Sequence, residues 1–437
     1  MNNNQEDVKK VLRYRWVVFL LLAFANFLVF FYRSAVGVMK ADLAASFPMT
    51  ATSFSILSSM YFYPYVIMQI PTGILVDSVG VRKTIITGCF VTAIGAIVFS
   101  LAPNFAALCI GRVLIGAGVS GPIICLQKNV TQWFRDKERG VISCMGSLAG
   151  SLGSIASQAP LVFLIAAISW RNTFRVLAGV SIVLAVLCFK FIKNSPADMG
   201  LPTIEEIEGK ASRPVIKKAR PQVLQVIKRV LKNKQNWPLM IGFSIYMGTH
   251  SAFAGTWAVS YIQDVYQYDM VTASKYTTLL LAGMAVGTFS IGFISGALNS
   301  RKIPLIVMSA ISTVNWALLV FGMDTLSVRP WLLTTVLLLT GFTFSSISLC
   351  FSVIREINNP QEVGVSVGFI NAFGMLIASF FPTIIGINID RLSGSALSNA
   401  ALYRSSLIFI FVLQIVCLIC MLVVKETHCK NIYKAVD

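Results

Sequence analysis

The sequence predicts an all-α membrane protein in which twelve transmembrane helices form two six-helix bundles. Of its 437 residues, 56% are hydrophobic and only 12% are charged, about half the charged share of a soluble domain. Apolar runs of the length that crosses a bilayer recur along the chain, and runs of this length must be helical in lipid. One long polar segment, 193–236, separates six such runs from six more.

Each predicted span is a predominantly apolar run of about 20 residues. The twelve spans cover approximately 16–38, 54–76, 84–102, 107–131, 140–166, 172–192, 237–262, 274–298, 304–323, 331–354, 363–388 and 403–424. The predicted domains are therefore an N-terminal bundle (1–192), a cytoplasmic basic linker with an interfacial helix (193–236), and a C-terminal bundle with a short tail (237–437). Between Gln222 and Asn236 of the linker, apolar residues at helical spacing lie opposite basic residues. This pattern is typical of a helix on the inner leaflet. The alternative is that the linker only tethers the two bundles.

The distribution of lysine and arginine predicts the orientation, because cytoplasmic loops carry an excess of both. With the N-terminus inside, 25 of the 36 lie in inner segments, 9 lie in outer loops or outer halves of spans, and two lie near inner ends. Both termini are therefore predicted to be cytoplasmic, in a multi-pass protein of the inner membrane. The net charge of +18 does not indicate nucleic acid, because the basic residues punctuate apolar runs and form no single patch.

Two motifs in the first half carry a family resemblance. The second span ends in Gly73-Ile-Leu-Val-Asp77-Ser-Val-Gly80-Val-Arg82-Lys83, which resembles the G-x-L-x-D-x-x-G-x-R-K signature of the major facilitator superfamily. Span four contains Arg-Val-Leu-Ile-Gly-Ala-Gly from position 112, similar to the R-x-x-x-G-x-G motif of that family. Further similarities are Trp133-Phe134 with Glu138-Arg139-Gly140, Trp170-Arg171, and, in span eleven, Gly368, Asn371, Gly374, Pro382, Gly386 and Asp390.

The resemblance implies a gating role for the first motif, with Gly80 and Arg139 included. Gly73 is expected to let two helices approach closely. Asp77 is expected to face the N-terminus of span eleven near Glu362, to pair with a nearby arginine, and to latch the outward-open state. Arg82 and Lys83 are expected to hold the loop in the cytoplasm. The second-half counterpart has Ser300 where Asp77 would fall, so its latch is expected to be weaker.

A finer resemblance lies in span one. Phe31-Tyr32-Arg33-Ser34 with Val38 resembles the pattern of the anion:cation symporter and organophosphate antiporter branches. In those branches the arginine binds an anionic group, which makes Arg33 and Tyr32 substrate-site candidates. The chain has Tyr32 and Val119 where the symporter branch often has carboxylates, so the resemblance does not carry that branch's proton coupling.

Ionisable residues within spans are hypotheses for functional sites. Arg33 and Arg112 lie at similar depths in spans one and four, where two fixed cations would attract an anion and grip a carboxylate or phosphate by paired hydrogen bonds. The alternative for Arg33 is snorkelling to the headgroups, and for Arg112 it is a structural or coupling role. Asn26 lies seven residues before Arg33 and would extend its polar face.

His250 lies near the centre of span seven, with Tyr246 and Trp257 predicted on the same helical face. Its side chain can take up a proton near neutral pH or bind a substrate oxygen, and the alternative is a hydrogen-bonded packing histidine. Asn371 joins the candidate substrate site by family resemblance.

The predicted function is a secondary transporter that moves a small organic anion by alternating access, coupled to a proton or another ion or to none. No Asp or Glu lies in the middle of a span, which disfavours cation efflux. The alternatives are efflux or facilitated transport of a neutral or amphipathic solute, such as a small peptide or drug, and a transporter-like sensor. No single span or loop combines a nucleophile, a general base and an orienting group, so an enzyme is not predicted. The expected partners are a small-molecule substrate and membrane lipids around a monomer, with no cofactor and no metal.

Overall fold

The computed structural model describes residues 2–135, 138–207, 223–359, 362–394 and 397–433, and the regular secondary structure in these ranges is helical throughout. The α-helices are α1 Asn2–Ser34, α2 Lys40–Ser46, α3 Ala51–Ser59, α4 Phe62–Ser78, α5 Gly80–Leu101, α6 Phe105–Gly118, α7 Pro122–Trp133, α8 Arg139–Ala156, α9 Ala159–Phe191, α10 Ile204–Ile207, α11 Val223–Lys232, α12 Asn236–Thr249, α13 Ala258–Tyr266, α14 Met270–Ala297, α15 Lys302–Phe321, α16 Met323–Val328, α17 Pro330–Phe344, α18 Ser346–Ile357, α19 Val363–Ala378, α20 Phe381–Leu392 and α21 Asn399–Val423. A π-helical segment, His250–Trp257, joins α12 to α13, and a 3-10 turn, Ala35–Val38, follows α1.

The predicted all-helical membrane architecture is confirmed. Within the described residues, nine helical stretches are long and apolar enough to cross a membrane, and they correspond to predicted spans one, three, four, six and eight to twelve. The other three predicted spans are also helical but are interrupted. Span two divides into α3 and α4, span five runs through α8 into α9, and span seven contains the π-helical segment.

Proline explains where four of these helices end. A proline lacks the N–H that would bond to the carbonyl four residues earlier, and its ring clashes with that carbonyl. Pro122, Pro160 and Pro382 lie four residues after Gly118, Ala156 and Ala378, which end α6, α8 and α19. Pro64 lies four residues after position 60, and α3 ends one residue before that position. These four breaks thus coincide with prolines, although a proline alone does not determine a break, because Pro71 lies inside α4.

The helices form two compact units. The first comprises the described residues of Met1–Ala35 and Met60–Lys217, and the second comprises those of Val36–Ser59 and Lys218–Asp437. Segment Val36–Ser59 lies within the predicted N-terminal bundle but packs in the second unit. The predicted boundaries near positions 192 and 236 stay a prediction.

Small residues allow close helix packing in the second unit. A Cβ added at Gly283 of α14 would collide with the backbone of Leu338 in α17, and one added at Gly341 would collide with the backbone of Leu280. Such glycines let helix backbones approach within lipid, where dispersion contacts rather than water exclusion drive association. By contrast, many large apolar residues on the outside of the helices are exposed, as on a surface that faces lipid tails.

The linker helix forms as predicted, but its contacts differ from the prediction. In α11, Val226 and Val230 are buried, and the helix packs against α19 of the second unit. Arg229, predicted on the exposed basic face, pairs with Glu362 at 3.0 Å. Helix α11 is therefore held by protein contacts on its apolar side, and its location at the inner leaflet stays a prediction. The remainder of the predicted helix before Val223 lies outside the described residues.

Candidate functional site

Arg33 occupies the last turn of α1. Its guanidinium carbon lies 5.1 Å from the ring centroid of Phe62 and 6.0 Å from that of Phe30, within the range of cation–π attraction. Its Nη2 atom is buried and has no hydrogen-bond partner in the described part of the chain. Snorkelling would place this atom in the headgroup region. In this structure the half-buried Arg33 side chain lies against aromatic rings.

Two tyrosines accompany this cation. The rings of Tyr61 and Tyr65 stack with centroids 6.0 Å apart, and both side chains interact electrostatically with Arg33. The Tyr61 hydroxyl donates to the carbonyl of Val29 at 2.8 Å. This bond ties the start of the second predicted span to α1 and fixes one wall beside the guanidinium.

Arg112 is fully buried and is bonded to the backbone of α1. Its Nη1 donates to the carbonyl of Tyr32 at 2.7 Å, and its guanidinium lies 4.9 Å from the ring centroid of Tyr61. The Tyr32 hydroxyl in turn lies 3.3 Å from Ser181 Oγ. Arg112 and Tyr32 therefore connect α1, α6 and α9, and these contacts support the structural alternative for Arg112.

Asn26 extends the polar face of α1. Its Nδ2 donates to the carbonyl of Gly146 in α8 at 2.9 Å, and its buried Oδ1 has no hydrogen-bond partner among the described residues. Because Asn26 precedes Arg33 by two helical turns, both side chains follow the same face of α1. The structure thus places Arg33, Asn26, Arg112 and Tyr32 in the first unit.

His250 begins the π-helical segment in the second unit. It is 2% exposed, and its ring lies parallel to that of Phe344, with centroids 5.2 Å apart. Tyr246 and Trp257 make contacts elsewhere: the Tyr246 hydroxyl lies 2.7 Å from Ser309 Oγ, and Trp257 Nε1 donates to the Pro382 carbonyl at 3.2 Å. The predicted shared face assumed an α-helix as far as Trp257, whereas the π-helix from His250 bonds residues five apart and shifts the register at Trp257.

The sequence analysis missed a buried polar chain next to His250. Gln414 Nε2 donates to Thr249 Oγ1 at 3.0 Å, and Ser312 Oγ donates to Gln414 Oε1 at 3.0 Å. This chain links α12, α15 and α21. The sequence signal for this chain is the amide of Gln414 in the apolar part of the last span. Asn371 is half-buried, with its Nδ2 3.9 Å from Met375 Sδ.

The gating motif of the first unit differs in detail from its prediction. Asp77 pairs with Lys128 at 2.8 Å, not with an arginine, and its side chain is 72% exposed. Lys128, near the inner end of predicted span four, is thus its partner. No other part of the described chain lies within 4 Å of a Cβ built at Gly73, so the expected close approach is absent there. The latch of Asp77 on span eleven stays a prediction.

The remaining gating residues shape the loop around the motif. Gly80 has φ +90°, a left-handed conformation that favours glycine, and it packs against Asn194, whose Oδ1 accepts from the Arg82 amide at 2.9 Å. Arg82 Nη2 also donates to the Phe189 carbonyl at 2.6 Å, while Lys83 is exposed. Arg139 Nη2 donates to the carbonyl at position 131 at 2.7 Å.

The second-half counterpart of the gating motif, at Ser300, also contacts a carboxylate. Glu426, just beyond α21, accepts hydrogen bonds from the Ser300 hydroxyl and from the Arg301 amide, the latter at 2.8 Å. Burial alone would raise the pKa of the Glu426 carboxyl, but the bonds from Ser300 and the backbone outweigh burial and lower that pKa to about 2. Arg301 also pairs with Glu356 at 2.9 Å. The expectation of a weaker contact at Ser300 overlooked this distant partner.

An analogous ion pair holds the first unit. Arg15 Nη1 lies 2.7 Å from Glu138 Oε2, and the Arg15 guanidinium lies 4.8 Å from the Phe134 ring centroid. Burial opposes ionisation of Glu138, but the bonds and charges of Arg15 and Arg135 outweigh it and hold the pKa of Glu138 below its usual value.

Known transporters resemble this chain along most of its length. The family model of the Major Facilitator Superfamily matches residues 22–382. The hexuronate transporter of Bacillus subtilis (strain 168) is 26% identical over 387 residues, which cover 86% of this chain and 88% of that protein. The probable galactarate/D-glucarate transporter GarP of Escherichia coli (strain K12) is 23% identical over 445 residues, with 96% of each chain covered. The probable L-galactonate transporter of the same strain is 24% identical over 390 residues, covering 87% of this chain and 84% of that one.

Solved structures share the fold at low identity. A bacterial homolog of the human lysosomal transporter Spinster, in an inward-facing conformation, superposes with a TM-score of 0.71 at 16% identity, over 94% of this chain and 97% of that one. A D-xylose-proton symporter superposes with a TM-score of 0.70 at 14% identity, over 96% of this chain and all of the other. The motifs, the helical architecture and the family match agree: this chain is a multi-pass membrane protein and belongs to the major facilitator superfamily.

Proposed function

We propose that the protein is a secondary transporter of a small organic anion, specifically a sugar acid that carries a carboxylate. The observation that carries the proposal is Arg33, a guanidinium held between aromatic rings with a buried Nη2 that lacks a hydrogen-bond partner among the described residues. Leaving a buried charged donor unsatisfied costs about 1–3 kcal/mol or more. A carboxylate that accepts from Nη2 would remove that cost.

The relatives support the same class of substrate. Proteins named for hexuronate, L-galactonate and galactarate or D-glucarate transport align with most of the chain. Each of these anions combines a carboxylate with several hydroxyl groups. In the proposed site, Arg33 holds the carboxylate, and Asn26 on the same face of α1 serves a hydroxyl. Neutral sugars are the competing substrates in the test.

Topology and energy coupling are the finer parts of the proposal. We infer that the protein works as a monomer in the cytoplasmic membrane with both termini inside, since inner segments hold 25 of its 36 lysines and arginines. Transport proceeds by alternating access of a midplane site. A proton is the proposed coupling ion, and His250 is its proposed carrier.

Uptake into proteoliposomes tests the substrate class. Wild type should take up glucuronate or galactarate and should discriminate against the neutral parent sugar. Arg33→Gln should lower this uptake at least tenfold, because a lost charge-assisted pair is worth about 2 kcal/mol or more. Arg33→Lys should keep part of it, since lysine retains the charge but not the planar fork.

The matched control is Arg175→Gln, which removes an exposed arginine whose Nη1 donates to Asn172, three residues before it in the same helix. This variant should transport like wild type. Wild-type uptake of the sugar acid by correctly folded Arg33→Gln protein, or equal uptake of the neutral sugar by wild type, would contradict the proposal.

A further inference from the structure

Segment Val36–Ser59 belongs to one unit by contacts and to the other by chain connectivity. The residues before it, up to Ala35, and after it, from Met60, are part of the first unit, whereas the segment packs in the second. It includes the 3-10 turn after α1, the short helix α2, and α3. Its packing therefore rests on contacts with residues that are distant in the chain.

The strongest polar contact is made by Asp390 near the end of α20. Its Oδ1 accepts from the Ala51 amide at 2.8 Å, and its Oδ2 accepts from the Thr52 amide at 2.7 Å. These amides open α3, where unpaired N–H groups and the helix dipole favour an anion. Asp390 therefore caps a helix that lies more than three hundred residues earlier in the chain.

Close packing surrounds this cap. A Cβ added at Gly386, one turn before Asp390, would lie 2.6 Å from the Ala51 carbonyl oxygen and would also strike Ser55. At the other end of α3, Ser59 Oγ donates to the carbonyl of Ser379 at 2.7 Å. Helix α3 thus lies directly on α20, with the absence of a side chain at Gly386 permitting the approach.

The start of the segment is held as well. Lys40 Nζ lies 5.0 Å from the Trp257 ring centroid and 3.8 Å from Asp264 Oδ2. A Cβ added at Gly37 would lie 2.8 Å from the carbonyl oxygen of Gly255 in the π-helical segment. These contacts hold the start of the segment in the second unit.

We propose that Asp390 is a latch that holds segment Val36–Ser59 on the second unit, and that its release is a step of the transport cycle. The role of release in a transport cycle rests on the proposed function. The contact between Asp390 and α3 does not, because it is present in the protein without substrate. On the proposed topology the segment lies at the outer ends of its spans. Loss of the Asp390 charge should shift the segment toward its released position.

The test uses Ser55→Cys in the full-length protein, and the thiol introduced at position 55 is the reporter. Ser55 is 0% exposed beneath Gly386, so a maleimide reagent should label the reporter thiol only when α3 leaves α20. In detergent solution, Asp390→Asn should raise the labelling rate of the reporter thiol about fivefold or more, the factor that corresponds to loss of a typical helix cap. Mass spectrometry of the peptide that contains position 55 gives the rate.

Two controls separate release from general damage. Asp269→Asn removes a carboxylate that caps its own helix through the Val271 and Thr272 amides, and it should leave labelling of the reporter thiol unchanged. The native Cys350, also 0% exposed in the second unit, should stay unlabelled in every variant if the fold is intact.

Gly386→Ala provides an independent route, because the added methyl group meets the α3 backbone and should also speed labelling of the reporter thiol. It replaces Asp390→Asn if that variant does not fold. Labelling of the reporter thiol at the parental rate in the folded variants would overturn the latch. The readout needs no substrate, so absence of sugar-acid uptake would refute the proposed function and leave the latch result standing.

Discussion

At the scale of single residues, the two arginines of the first unit show how similar sequence signals acquire different roles. Both lie within apolar helices, and both contact aromatic rings. Arg112 donates to the Tyr32 carbonyl and so ties two helices together, whereas Arg33 retains a buried donor without a hydrogen-bond partner in the described chain. Position in a span makes both arginines candidates for a functional role, and a ligand-binding role for Arg33 stays a proposal.

Glu426 gives a prediction about stability and pH. Its pKa is lowered from 4.5 to about 2, so ionised Glu426 stabilises the fold above the unfolded pKa, and this contribution is lost as the pH falls through the folded value. Glu426→Gln should lower Tm by roughly 2 °C near neutral pH, through a weakened cap of about 1 kcal/mol. The difference from wild type should shrink below pH 4.5 and vanish near pH 2.

Thermal unfolding in detergent across this pH range makes the measurement. Asp324→Asn is the control, because Asp324 is exposed and its carboxylate accepts no hydrogen bond from the residues that the structure describes. It should differ little from wild type at any pH. An equal Tm for wild type and Glu426→Gln at neutral pH would show that the tail carboxylate is dispensable.

At the scale of elements, the linker helix α11 is held to the second unit by an apolar face and an ion pair. Val226 and Val230 are 0% and 2% exposed, and Arg229 pairs with Glu362 at 3.0 Å. A helix of ten residues is marginal by itself in water. Its helicity therefore depends on docking against α19.

Val230→Ser should undock this helix. Burying a hydroxyl in place of a methyl group costs about 1–3 kcal/mol, so amide hydrogen exchange over 224–232 should speed up about tenfold or more. Lys228→Ser, on the exposed face of the same helix, should change exchange much less. Equal exchange in both variants would mean that packing does not hold α11.

Elements also show how far sequence reasoning reaches. Hydropathy predicted the spans because the membrane leaves the backbone few options, and the prolines account for where α6, α8 and α19 end. Neither the π-helical segment at His250 nor the pairing of Ser300 with Glu426 could be predicted. The first depends on tertiary packing that overrides the α-helical period, and the second joins residues 126 positions apart.

At the scale of the whole molecule, the proposed proton coupling requires a group that gains and loses a proton as the site changes sides. His250→Gln should abolish accumulation of sugar acid driven by a pH gradient and leave counterflow exchange largely intact, because exchange needs binding and motion but no net proton transfer. His428→Gln replaces the only other histidine of the sequence, which lies in the tail with Nδ1 3.2 Å from the Asn299 carbonyl.

His428→Gln should accumulate substrate like wild type. Concentrative uptake by His250→Gln would instead make His250 a packing residue against Phe344 and assign coupling to another group or ion. Both transport modes can be measured in the same vesicles, so a general loss of protein would be recognised by the loss of exchange.

Segment Val36–Ser59 packs in the second unit although its chain neighbours belong to the first, and this has a consequence for biogenesis. Ser59 bonds to Ser379, 320 positions further along the chain, and Ala51 bonds to Asp390, 339 positions further. The N-terminal part of the chain leaves the ribosome first. The Ala51 and Thr52 amides of α3 therefore lack their Asp390 partner until α20, the last helix but one, has been synthesised. Contacts between such distant positions form slowly, so docking of this segment is expected to be a late step of maturation, and a nascent chain arrested before α20 would still display it to chaperones and proteases.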